Sequence, residues 1–320
     1  MAKAIFTLNS GLTVGLSQLG RHGDGRGSPI QQVHDGDTIV VEAAGNLSVR
    51  FLGIDTPEVS FTLPGNNFFN SISGDAWVQF LNDPFAGAPN DFVTSLGNGL
   101  VQHLQGATGQ GCASNHAHHA EQAHRHLEQL VIQDMSALGQ DRSTFHFFMA
   151  FANEIMDGFG RFLCFINRRQ DHLTIPEPRP RSYNERMLED GMASPYFIWP
   201  NVNPFRRRPS LFAAVPPAGN IDQIANGQDG LGPARQWVQN ARQKQDGIFE
   251  NNNPLMLQPF ELRFLSRRSV PTRWVIDLGN VNTTTLLRPI NYHAIANIED
   301  RLFVPAEYVP LFVEAGWQRQ

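Results

Sequence analysis

The chain has 320 residues, of which 41% are hydrophobic and 17% charged, a composition for one large or two small globular domains and not for a disordered segment. A formal net charge of −5 is not that of a basic nucleic-acid coat, and it weighs against tight non-specific DNA binding without excluding an enzyme with a local positive field. Two cysteines permit at most one disulfide and exclude a framework, and no segment reaches the length of a membrane span.

Residues 1–30 alternate apolar and polar side chains from Ala4 to Leu16 and then pass through a Gly-rich, charged link from Gly20 to Gly27, which predicts an extra strand pair and a loop. Met1 to Ser10 carries one lysine and no sustained apolar run, so a signal peptide is not expected and the cytoplasm is the default location, with export left open. Thr38–Val41 and Leu47–Ile54 are β-branched or apolar runs on either side of Gly45-Asn46, the pattern of a hairpin. A two-residue loop there would set Asp37 opposite Ile54 and Gly36 opposite Asp55, bringing Asp37 and Asp55 side by side. Two adjacent carboxylates repel unless a positive charge lies between them, and a hard divalent cation is the natural occupant. Arg50 and Glu58 flank that spot.

Residues 59–110 form an insert punctuated by Pro64-Gly65, Asp83-Pro84 and Gly87-Ala88-Pro89, with short helices expected near 74–81 and 92–104; it would serve as a lid or substrate wall, or as surface decoration. Apolar residues recurring every three or four positions from Ala113 to Leu138 predict a helix over 112–138. Strands are expected at 144–152 and 161–167, paired through the turn at Asp157-Gly158, and a helix from Ser182 to Gly191. A third helix starts at Pro233 and runs to about Phe249, and from Pro259 the pattern predicts strands at 260–265, 274–278 and 286–290.

The histidines His116, His118, His119, His124 and His126 crowd one helix, with Cys112 one turn ahead. Pairs at this spacing can hold zinc, but these fall on more than one face and fit a solvent-facing polar stripe better. Tyr196, Phe197 and Trp199 could stack bases, although the interleaved Ile198 and Val202 favour a place in the core. Arg206-Arg207-Arg208 next to them reads as a phosphate track or as a solvated loop. From Arg161 to Arg208 there are nine arginines against five acidic residues.

Four ordered blocks resemble the staphylococcal-nuclease-like (thermonuclease) family. They are Asp35-Gly36-Asp37-Thr38; Arg50-Phe51-Leu52-Gly53-Ile54-Asp55-Thr56-Pro57-Glu58; Asp157-Gly158-Phe159-Gly160-Arg161; and Tyr183-Asn184-Glu185-Arg186-Met187-Leu188-Glu189-Asp190-Gly191. Two departures are Phe159, where the family has tyrosine, and a much longer interval between Glu58 and Arg161. The resemblance spans roughly residues 30–60 and 113–250. The residue pattern alone gives an α+β chain with short strands. The resemblance implies an OB-type five-stranded β-barrel, a partly open Greek key with packed helices. It divides the chain into an extension (1–30), a nuclease-like domain (31–253, with the insert at 59–110) and an accessory β-rich extension (254–320). It further implies Ca²⁺ (Mg²⁺ or Mn²⁺ in its place) held by Asp37, Asp55 and the Thr56 carbonyl, with Glu58 orienting or deprotonating water and Arg50 and Arg161 clamping the phosphoryl oxygens. Tyr196, Arg206, Arg207 and Arg208 are candidate substrate contacts. The activity so implied is hydrolysis of DNA or RNA phosphodiesters by in-line attack of water, by a monomer, with little sequence preference and 3′-phosphate products. The alternative is a non-catalytic module of the same fold that binds nucleic acid or protein.

Overall fold

The computed structural model describes residues 3–8, 13–33, 39–169, 180–205 and 208–320. Residues 49–55 run as one strand that changes sheets halfway. Val49–Phe51 pairs in parallel with Phe162–Arg168, which pairs antiparallel with Phe147–Met156. Beyond Leu52, Gly53–Asp55 pairs antiparallel with Ser194–Ile198 at the edge of a four-stranded sheet completed by Arg301–Val304 and Trp274–Asp277. Gly53 forms the corner with φ +76°, a conformation that a Cβ would strain.

The four-stranded sheet is buried on both faces, which is why its strands read as near-continuous apolar runs. Alternate side chains enter two different cores. Ile54, Phe197, Ile276, Leu302 and Val304 join one core with Cys164, Tyr183, Met187, Trp199 and Phe312. Val275 and Phe303 join the other with Phe61, Trp77, Leu96, Leu100, Leu262, Leu265 and Tyr292. The second core is therefore built from the insert and the C-terminal segment together. Within the insert, Asp75–Asn82 and Asn90–Ala107 are helices that supply a large share of that core, so the insert is not a surface decoration.

The helix expected over 112–138 is Cys112–Ala137, and the strand pair around Asp157-Gly158 is Phe147–Met156 with Phe162–Arg168. Tyr183–Glu189 starts where Ser182 caps it: the Ser182 hydroxyl accepts from Glu185 N while the Glu185 carboxylate accepts from Ser182 N. The next residue in, Asn184, is wholly buried. Its amide donates to Leu52 O (2.9 Å) and Cys164 O (3.1 Å) and accepts from Ile166 N (3.0 Å), tying the helix to the bend of the strand. Cys112 and Cys164 are both buried free thiols.

Two expectations are corrected. Val41–Ala43 pairs with Ser17–Leu19 and not with the strand that follows it, so the expected hairpin register is not formed. Residues 34–38, with Asp35, Gly36, Asp37 and Thr38, lie outside the described residues. At 260–265 the chain is not a strand but part of the helix Pro259–Arg267. Pro259 occupies the first turn and Glu261 accepts from Gln258 N (2.9 Å), closing the helix start. The α+β class holds, and among the described residues the several sheets close no barrel. No helix of the described residues is long and apolar enough to cross a membrane.

Asn184→Ala removes three hydrogen bonds and strands buried backbone groups, so it is expected to cost about 3–5 kcal/mol of folding stability, measurable by urea unfolding.

Candidate functional site

Asp55 ends the bent strand with its side chain wholly buried. Ile54 points into the first core, so Asp55 projects from the opposite face, toward helix Pro259–Arg267. A bare carboxylate there would cost several kcal/mol. Two arginines neutralise it. Arg50 Nη2 donates to Oδ1 at 2.5 Å, and Arg263 donates to Oδ1 at 3.0 Å and to Oδ2 at 2.6 Å, a two-pronged pair. Arg263 Nη1 also donates to Glu58 Oε1 at 2.7 Å, so one guanidinium bridges both carboxylates. Burial is the largest influence on Arg263 and acts to lower its pKa, but Asp55 and Glu58 outweigh it and the net shift is upward.

Glu58 is fixed from two sides. Its backbone N–H donates to Nε2 of His116 at 2.9 Å, and its carboxylate meets Arg263. Because Nε2 accepts, the His116 ring is neutral with its proton on Nδ1. Burial is the main cause that pushes its pKa down to about 4, against the opposing pull of the Leu257 carbonyl and the Asp55 charge.

Arg161 lies just before the strand that pairs with Val49–Phe51; Leu163, two residues on, is the ladder partner of Arg50. Its guanidinium is held by Asp157 through Nε (2.8 Å) and Nη2 (2.7 Å) and lies 5.3 Å from the centre of the Phe159 ring. Phe159 thus packs on Arg161 from the position where the resemblance expects tyrosine. Arg267 is one helical turn beyond Arg263 and sits 5.2 Å from the centre of the Phe61 ring. Its pKa is lowered, first by burial and then by the positive charges of Arg263 and Arg161. Four guanidinium groups (Arg50, Arg161, Arg263, Arg267) thus stand around three carboxylates (Asp55, Glu58, Asp157), which leaves the cluster positive and suited to an anion.

Of the residues expected from sequence, Arg50, Asp55 and Glu58 are brought together through Arg263. Arg161 borders them and is bound to Asp157. Thr56 follows Asp55 and is half-buried. Asp37, Arg206 and Arg207 lie outside the described residues. Tyr196 takes the core alternative: its ring stacks on Phe260 at 5.3 Å and its hydroxyl accepts from Arg273, so it offers no open platform for a base. Arg208 is exposed and lines a separate cavity of about 310 Å³ with Trp199 and Val215. A larger cavity of about 630 Å³ is lined by Leu52, Ile54, Phe165 and Trp237 and by none of the charged residues of the cluster. Arg263 falls in the 260–265 run, whose composition predicts a strand; Pro259 and Glu261 are the sequence signal for the helix that carries it.

The histidines are engaged with protein partners and form no uniformly solvent-facing stripe. His116 meets Glu58, His119 meets Asn253 O at 2.7 Å, His126 meets Asp190 at 2.8 Å and the exposed His124 meets Glu128 at 3.2 Å. Of the donors expected for calcium, Asp55 is engaged and Asp37 lies outside the described residues. Both oxygens of Asp55 accept from guanidinium groups, and Glu58 shares one of them. Among the described residues no group of three acidic, histidine or cysteine side chains could hold a metal ion. Of the expected calcium donors the described residues hold Asp55 and the Thr56 carbonyl, and Asp55 is already paired with two guanidinium groups.

Unfolded His116 takes up a proton near pH 6.5, and the folded residue does so only near pH 4. Between these values the unfolded chain binds more protons, so stability falls as the pH drops through this window, by up to about 3 kcal/mol from this residue. Denaturant unfolding at pH 7 and pH 4.5 is expected to show a smaller loss in His116→Gln than in the unaltered chain.

A scan of protein-family models, a search of curated proteins and a search of solved structures each found no match to this chain, so what the site does must be read from its own chemistry.

Proposed function

We propose that the chain is a nuclease, hydrolysing phosphodiester bonds of DNA or RNA at the Arg50–Asp55–Glu58–Arg263 cluster. The observation that carries this reading is the positive arginine cluster set around a partly buried Glu58, whose Oε1 is fixed by Arg263. Arg50 and Arg161 bind the non-bridging phosphate oxygens and offset the charge that builds on them during attack. Glu58 accepts a proton from a water that attacks phosphorus in line with the leaving oxygen. The new P–O bond forms as the ester bond to the leaving sugar oxygen breaks, and that oxygen takes up a proton from solvent. Asp55 holds Arg50 and Arg263 in place. The resemblance extends this to little sequence preference, 3′-phosphate products and an OB-type fold. Calcium, held by Asp37, Asp55 and the Thr56 carbonyl as that resemblance expects, would supply charge neutralisation at phosphorus.

The alternative, a non-catalytic module that binds nucleic acid, is favoured by one specific feature: every oxygen of Asp55 and one of Glu58 is already paired. Nicking of supercoiled plasmid and cleavage of labelled RNA separate the two. The nuclease is expected to lose about 10²–10³-fold in rate in Arg50→Ala, Arg161→Ala or Glu58→Gln, with Glu58→Gln still binding an oligonucleotide. Binding without any cleavage by the unaltered chain would establish the module instead.

A further inference from the structure

We propose that Arg263 is the resident cation of this site: its guanidinium and a divalent metal ion are alternative occupants of the Asp55–Glu58 pair, and the guanidinium is the one the folded chain holds. The metal half of the proposal stands on geometry alone; the part that concerns substrate rests on the phosphodiester reading above.

Arg263 lies where a shared cation would have to lie, since it donates to both oxygens of Asp55 and to Glu58. It has little freedom to leave. Its helix is fastened on both sides of it. Glu261 is buried and accepts from Tyr292 at 2.7 Å, with His103 at 2.8 Å, and Ser266 donates to the Thr62 carbonyl. Leu262, Phe264 and Leu265 are buried in the second core. A metal ion entering between the two carboxylates would push a guanidinium out of a largely enclosed place, toward Arg267 one turn further on.

The opposite substitution has material to work with. Ser194 is the ladder partner of Asp55, and its buried hydroxyl has no hydrogen-bond partner. With Arg263 shortened to a neutral side chain, Asp55 and Glu58 are left as oxygen donors, with Ser194 beside Asp55 on the same face of the sheet, and oxygen donors are what a hard divalent cation prefers. With Arg263 in place the same pocket is positive and takes an anion, a phosphate ester, with no metal bridging it.

Calorimetric titration of the full chain with calcium at pH 7 decides the occupant. The unaltered chain is expected to bind no tighter than millimolar, Arg263→Gln at least tenfold tighter, and Asp55→Asn added to Arg263→Gln to lose that gain. Calcium binding by the unaltered chain as tight as by Arg263→Gln would overturn the proposal. A second measurement needs no variant and covers the case in which Arg263→Gln does not fold: anisotropy of a short fluorescent single-stranded oligonucleotide, in EDTA and in calcium. Affinities within twofold of each other are expected. Binding seen only with calcium would overturn the proposal. Binding in neither buffer would overturn the nuclease reading and the anion half, while the calcium titration would still decide which cation the carboxylates hold.

Discussion

A carboxylate with no exposed surface has to be neutralised where it lies, and this demand organises the structure around Asp55. Its two arginines come from opposite directions in the chain. Arg50 is five residues upstream on the same bent strand, and Arg263 is 208 positions downstream on a helix. The pocket is therefore incomplete until the C-terminal segment has docked. The segment from Pro259 onward supplies the side chain that bridges the two acidic residues and two strands of the sheet that carries one of them. Removing one partner of such a pair leaves the other charged and buried, which typically costs about 3–5 kcal/mol.

The two cores explain why this charge can sit so deep. The four-stranded sheet has an apolar layer on each side, and Asp55 lies at its edge, on the final residue of the Gly53–Asp55 strand. The bend at Gly53 turns Arg50 back toward the same carboxylate. Next along the chain, Glu58 is held at its backbone by His116 from the long helix and at its carboxylate by Arg263. Rigid elements hold each member of the cluster, and that kind of preorganisation lets charged groups act on a phosphate without rearranging.

Elements whose signals are local were legible in the sequence. Cys112–Ala137 follows from apolar residues spaced three or four apart, and Tyr183–Glu189 from the glycine at 191 that closes it, with the Ser182–Glu185 cap seen in the folded chain. Arg50, Asp55 and Glu58 were legible because they fall within nine residues of one motif. Long-range choices were not. Val41–Ala43 is a strand, but its partner is Ser17–Leu19, a selection made by the folded chain and not by the intervening turn. The apolar run at 260–265 fits a strand or a buried helix equally well by composition, and only the helix brings Arg263 to Asp55. The histidine spacing showed a helix crowded with imidazoles and gave no hint that one of them accepts the Glu58 backbone N–H.

Asp55 and Arg263 are energetically one unit, joining the strand to the C-terminal helix. A double-mutant cycle of Asp55→Asn and Arg263→Gln on the free energy of unfolding tests it most directly. The two single losses are expected to be far from additive, with a coupling of about 2–3 kcal/mol. Additive losses, within about 0.5 kcal/mol, would mean that the two side chains do not depend on each other and would contradict it.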